Sequence, residues 1–180
     1  TGDCFALSDW QEVLEANLAV AGQRMPGLKP RGAAIAAKHP ETFFFAGSHC
    51  QLPKLSEQSG FGVIGDRCTL NKLCEFKHAI CIGRDSVIDR DCLLRDALIL
   101  PHTYVGPGLS LHGKIVSRDL LLDPATGGWI KINDPALIAD ARLNSEHMQS
   151  TPRWEKWAAA ALLVLTLPAW PLVALRSLLR

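Results

Sequence analysis

The chain lacks the features that would assign it quickly. Its 180 residues carry 19 Lys and Arg against 18 Asp and Glu, a formal net charge of +1, so no field of one sign spans the molecule. Nucleic acid is therefore not an expected partner. No signal-peptide pattern opens the sequence. Six cysteines are present, yet no Cys-x-x-Cys occurs and none has a histidine at zinc-finger spacing. His49 and Cys50 are adjacent, but two ligands do not make a structural zinc site. No metal, cofactor or disulfide framework is expected. Reduced cysteines fit a cytoplasmic compartment.

What is present is a period. Ile64, Leu70, Phe76, Ile82, Ile88, Leu94 and Leu100 recur every six residues; one residue is then dropped, and Val105 and Leu111 resume the spacing. Two positions before each stands a mostly small or medium residue, among them Gly62, Cys68, Cys74, Ser86, Cys92 and Thr103. Six is neither the 3.6 of a helix nor the alternation of a two-faced strand. It fits a chain that coils, so that each short strand lies above the one three hexads earlier at about 4.8 Å. Such repeats are stable only as stacks, because none buries its apolar face alone. About three coils are expected over residues 61–122. Cys68, Cys74 and Cys92 would serve there as compact hydrophobes.

Ile64-Gly65-Asp66-Arg67-Cys68 and Ile82-Gly83-Arg84-Asp85-Ser86 resemble the hexapeptide units of a left-handed parallel β-helix. The continuation from Leu100-Pro101-His102-Thr103 to Val105-Gly106-Pro107-Gly108-Leu109 is similar to the last coils of the C-terminal domain in bacterial sugar-nucleotide pyrophosphorylases. The resemblance covers roughly residues 45–122. It implies a mainly β fold, with the hexad aliphatics as its structural core and a surface suited to homo-oligomers.

Upstream, Ser8-Asp9-Trp10-Gln11 reads as a capping box, with Ser8 as N-cap and Gln11 reaching back. Trp10, Val13, Leu14, Leu18 and Ala21 share one helical face, and Gly22 ends the helix. This amphipathic helix is expected to cover the open end of the β-helix. In the resembled family such a helix follows a nucleotidyltransferase domain. Thr1 is not an initiator methionine, so a piece of a longer protein is expected. Ala33 to Ala37 is small and apolar; Phe43-Phe44-Phe45 is either a first coil or a strand covering it. Leu52 to Gly60 reads as a polar loop leaving that coil. Gly60-Phe61-Gly62-Val63-Ile64-Gly65 satisfies G-x-G-x-x-G, with Asp85 twenty residues on. That motif needs a strand before it and a helix after it, and hexads follow instead.

His78, His102 and His112 are the candidates for a general base, the role a histidine plays in acyltransferases built on this β-helix. All three sit in or beside hexads, where outward positions are polar, and the reading is of surface or turn residues. Arg84, Arg90 and Arg95 with Asp85, Asp89, Asp91 and Asp96 read as a solvated face of mixed sign. No catalytic residue is assigned. Trp129-Ile130-Lys131-Ile132 reads as a closing strand, and Asn133 to Pro152 as a short helix and linker.

Trp157 to Leu175 is nineteen residues without a charge, long enough to cross hydrocarbon. Pro168 and Pro171 interrupt it, and Arg153, Lys156, Arg176 and Arg180 flank both ends, which would keep both in the cytoplasm. A bent, re-entrant helix satisfies both facts. The run resembles the membrane-inserting segment of bacterial polyprenyl-phosphate hexose-1-phosphate transferases, whose catalytic acidic pair lies in a later domain.

The organisation expected is a helix and linker over 1–31, a β-helix domain over 32–132, a linker over 133–152 and a C-terminal re-entrant membrane helix over 153–180. The resemblances imply a part of a bacterial surface-polysaccharide (exopolysaccharide or O-antigen) biosynthesis protein at the cytoplasmic face of the inner membrane. Residues 157–175 would touch lipid; nucleotide sugar and polyprenyl phosphate would bind only to domains outside the segment. The rival is a hexapeptide acyltransferase acting on sugars, with the C-terminal run as its anchor. A third reading is a membrane-tethered scaffold.

Overall fold

Each hexad spends its large aliphatic on a buried column, and the columns define the architecture. The structure is a computed structural model, which describes residues 8–25, 27–36 and 42–143. Helix α1 (Trp10–Ala21) is followed by β1 (Ala33–Ala36), β2 (Phe43–Ala46), a short 3-10 turn (Leu55–Glu57), β3 (Ser59–Ile64), β4 (Thr69–Leu70), β5 (Glu75–Ile82), β6 (Val87–Ile88) and β7 (Leu93–Ile99). Then come β8 (Thr103–Val105), β9 (Ser110–His112), β10 (Ile115–Ser117), β11 (Leu120–Asp123), β12 (Gly128–Lys131) and β13 (Ile138–Asp140). The parallel order β2-β3-β5-β7-β10 on one side and β4-β6-β8 on another makes a β-solenoid of about four turns.

Three columns fill it. Ala46, Ile64, Ile82, Ile99 and Val116 stack in register along the first. Leu70, Ile88, Val105 and Ile138 form the second, and Phe76, Leu94 and Leu111 the third. All twelve are buried; each such aliphatic or aromatic side chain larger than alanine contributes about 1.5–3 kcal/mol. Beside the first column run Phe44, Gly62, Ile80 and Ala97. Large and small residues alternate there, and a Cβ at Gly62 would collide with the Ile80 carbonyl oxygen.

Of the nine hexad aliphatics, Ile64, Leu70, Phe76, Ile82, Ile88, Leu94, Val105 and Leu111 are buried. Leu100 is not. The dropped residue falls earlier than the spacing suggested: Lys77 pairs with Arg95 but Ile80 with Ala97, so the short coil is one residue tighter at Asp96. Ile99 therefore takes the core position, and Leu100 turns outward to pack with the residues under α1. The coils also begin earlier than Ile64, because β2 already pairs with β3 in parallel. Leu52 to Gly60 belongs to that first coil rather than leaving it: Leu55 is buried in the core, and Ser59 and Gly60 open β3.

The helix differs from expectation in two ways. Asp9, not Ser8, is the N-cap, and Glu12, not Gln11, reaches back, accepting from the Ser8 N–H and hydroxyl at 2.8 and 2.9 Å. Trp10 lies outside the buried face, whereas Leu14, Leu18 and Ala21 pack on Ala79, Cys81 and Leu98. The outer side of β5 and β7 carries an apolar stripe, so α1 lies across the flank of the coils and not over their end. The N-terminal edge is covered by β1, antiparallel to β2. At the other end β10, β11 and β12 form an antiparallel meander. Part of the expected linker is also core: β13 runs antiparallel to β8 and buries Ile138.

The solenoid and α1 belong to one unit that ends at Leu143; a second unit begins at Asn144 and lies outside the described residues. So does the expected re-entrant helix over 153–180, with Pro168 and Pro171. Among the described residues no helix is long and apolar enough to cross a membrane.

Candidate functional site

Polar chemistry collects where the coils turn. His49, Arg67, Asp85, His102 and Arg118 stand at successive turns, each with a left-handed backbone of φ between 54 and 61°. Asp and His tolerate that conformation better than most side chains. The turns are stacked by backbone bonds: Arg67 N–H donates to the Ser48 carbonyl, Asp85 to Asp66, and His102 to Arg84, at 2.8 to 3.0 Å. Their side chains therefore project as a ladder.

Within it the Arg67 guanidinium donates to both Asp85 carboxylate oxygens, at 2.6 and 2.7 Å. His102 Nδ1 lies 3.7 Å from the same carboxylate on the other side. The bonded Arg67 holds the Asp85 carboxyl below the usual aspartate range, against the opposing effect of desolvation; His102 and Arg84 add smaller pulls. Further along, Arg118 and Arg142 both reach Asp140. The sequence signal for this extension was absent, because Asp140 arrives from the antiparallel β13 and not from a repeat.

A second turn carries His78, Asp96 and Gly113, again with positive φ. Here β5 and β7 bend, and here the coil loses its residue. His78 Nδ1 is 3.7 Å from Asp96, and Arg95 approaches the same carboxylate at 3.7 Å. The pair borders a cavity of about 520 Å³ at the C-terminal end of α1, with Arg24, Phe43 and Phe61 also lining it. An imidazole beside a carboxylate in a recess could take a proton from a hydroxyl. Sequence reading proposed His78 but had no means of finding Arg24, which is brought to the cavity by α1. His112 is exposed on β9 and stands in register with Arg95, the residue before Asp96. Arg84, Arg95, Asp85 and Asp96 of the mixed-sign face thus divide between these two turns. Asp91 stands at a third with Gly108, where Gly108 N–H donates to the Arg90 carbonyl, and Asp89 accepts from the Tyr104 hydroxyl at 3.1 Å.

The cysteines do more than fill space. Cys50 and Cys68 donate their thiols to the carbonyls of Gly65 and Gly83 in the next coil, at 3.0 and 3.1 Å. Cys74 and Cys92 do the same to Asp89 and Gly106, at 2.9 and 3.1 Å. Ser86 repeats the pattern with Leu100 at 3.3 Å, which is why a hydroxyl substitutes for a thiol at this position. Burial pushes the Cys68 thiol up to about 11 and that of Cys81 to about 12, so neither is poised as a nucleophile. For Cys74 the rise comes first from its bond with the Cys92 thiol and then from burial.

Gly60 and Gly62 lie within β3 pressed against the His78 and Ile80 carbonyls, with no helix following, so the G-x-G-x-x-G spacing builds no phosphate cradle. Among the described residues no three His, Cys, Asp or Glu side chains gather as a metal site. No protein-family model matches the chain, and no curated protein matches it either.

Proposed function

We propose that this chain is a β-solenoid module, of the left-handed hexapeptide type, that spaces and assembles membrane-associated sugar-phosphate transfer machinery in bacterial surface-polysaccharide synthesis. The observation that supports it is the self-pairing of the corner ladder. Arg67, Asp85 and His102 face one another along the stack, a self-paired arrangement that suits a rigid spacer. The sequence supplies the tether: the uncharged run 157–175, broken by Pro168 and Pro171 and flanked by arginine and lysine. In this reading the run enters the inner membrane from the cytoplasm and returns. Nucleotide sugar and polyprenyl phosphate are handled by domains beyond the chain.

The test is topological. Single cysteines placed by Ser150→Cys and Ser177→Cys, in a background without the native cysteines, are probed with an impermeant maleimide. Both positions should be protected in intact cells and labelled after lysis. Labelling of position 177 alone in intact cells would make the run an ordinary span and remove its tie to the transferases.

The rival reading, acyl transfer to a sugar hydroxyl, is favoured by the His78–Asp96 pair and its cavity. Incubation with acetyl-coenzyme A and a panel of amino and hydroxyl sugars decides between the two. The spacer reading expects no turnover; turnover abolished by His78→Ala would establish the rival.

A further inference from the structure

Among the described residues the last strand of the larger sheet is an open edge. Strand β12 pairs with β11 on one side and with no described strand on the other. Its four residues are all exposed, and two of them are large and apolar, Trp129 at 65% and Ile130 at 62%. An open, apolar edge of this kind is a template for another strand.

The direction of its backbone groups can be derived. Ile132 N–H donates to the Asp119 carbonyl at 2.7 Å, so residue 132 points its backbone toward β11. In an antiparallel pair that direction alternates. Ile130 therefore also faces β11, while the N–H and C=O groups of Trp129 and Lys131 face outward. Side chains alternate too: Trp129 stands opposite Leu122 on the α1 side of the sheet, and Ile130 opposite Leu121 on the core side.

We infer that β12 is a homodimer edge, on which a second copy of this chain pairs its own β12 antiparallel about a two-fold axis through Ile130. Only residues whose backbones point outward can form a hydrogen-bonded pair. That requirement pairs Trp129 and Lys131 only with outward-facing residues of the partner copy. Of the registers it allows, the one centred on Ile130 sets Trp129 against the partner copy's residue 131, and Ile130 against its own counterpart, without opposing lysine to lysine. The register is self-complementary, as a two-fold interface demands. It also suits charge: the Lys131 ammonium, paired with Asp119 at 3.3 Å within its own chain, lies opposite an indole that adds a cation–π contact, and no like charges stand opposed. The two isoleucines meet on the core side. A heterologous strand would need its own cation and indole at matching positions; a second copy has both. This inference does not depend on the proposed function.

The experiment uses the full chain in a mild detergent, followed by sedimentation with the micelle density-matched. A protein mass of twice 19.6 kDa is expected. In the non-hydrogen-bonded pair at the axis the Cα atoms lie about 4.5 Å apart, inside the disulfide range. Ile130→Cys should therefore give a covalent dimer under mild oxidation, with the bridge mapped by mass spectrometry to the two substituted positions. Leu73→Cys, equally exposed at 62% but far along the chain, should stay monomeric under the same treatment. Trp129→Lys places two lysines opposite each other and should abolish the dimer while leaving the far-ultraviolet circular dichroism unchanged. The double variant Trp129→Lys/Lys131→Glu restores opposite charges and should recover it. A monomeric parent, a dimer that survives Trp129→Lys, or an Ile130→Cys chain that links no better than Leu73→Cys would each overturn the inference.

Discussion

Arg67 and Asp85 are eighteen residues apart in the chain and one coil apart in the fold, joined by two hydrogen bonds of 2.6 and 2.7 Å. That interval is three hexads, so the pair reports directly that the repeat closes one turn of the solenoid in eighteen residues. The same carboxylate then faces His102 across a coil one residue shorter. The ladder continues through the irregularity because the dropped residue lies at the other turn, beside Asp96.

The pairing sets a pH dependence. The Asp85 carboxyl is held below its ordinary value of 3.8, so the folded chain binds that proton less readily than the unfolded one. Its contribution to stability is complete above 3.8 and is lost as pH falls through the lower, folded-state value. Asp85→Asn keeps a side chain suited to positive φ and removes the charge. Thermal melts should show the variant less stable at pH 7, with the gap closing below pH 3.8. A gap unchanged on acidification would show that the carboxylate does not carry the effect.

The corrected register makes a sharper prediction. Ile99 is fully buried and Leu100 only half-buried. Ile99→Ala should cost about 2–5 kcal/mol, as large-to-small changes in a packed column do, and Leu100→Ala should cost roughly 1 kcal/mol. Urea denaturation of both variants measures the difference. Equal losses, or a greater loss at Leu100, would restore the uninterrupted hexad.

The thiols should behave as structure. Cys68 and Cys81 are buried, with their thiols pushed up to about 11 and 12. Iodoacetamide at pH 8 should leave both unmodified in the folded chain and alkylate both in denaturant, as mapped by mass spectrometry. Cys68→Ser should be tolerated better than Cys68→Val, because the hydroxyl can still donate to the Gly83 carbonyl as Ser86 does to Leu100. Rapid labelling of native Cys68 would contradict the coil packing.

The coil was legible because it is a local repeat. Ile64, Ile82, Leu70 and Ile88 announce their columns by spacing, and a period of six admits few other packings. Where the repeat stumbles, spacing misleads. Leu98, Ile99 and Leu100 are three consecutive aliphatics, and any of them could have continued the series. Only the register with β5 selects Ile99, because that position alone stacks on Ile82.

The histidine corners were half legible. His78, His102, Asp85 and Asp96 could be counted, but which imidazole met which carboxylate depended on how many residues each coil holds. Arg24 at the cavity, Asp140 on the ladder, Ile138 in the core and the flank position of α1 carried no repeat signal at all. These groups are brought in by elements that break the period, and their positions follow from surfaces that exist only after the coils have stacked. The sequence by itself determined that the chain must coil, since sixth-residue aliphatics can be buried together in no simpler way. The tertiary structure decided what lies on the coil, because the apolar stripe under α1 and the edge at β12, unpaired among the described residues, are products of the stacking.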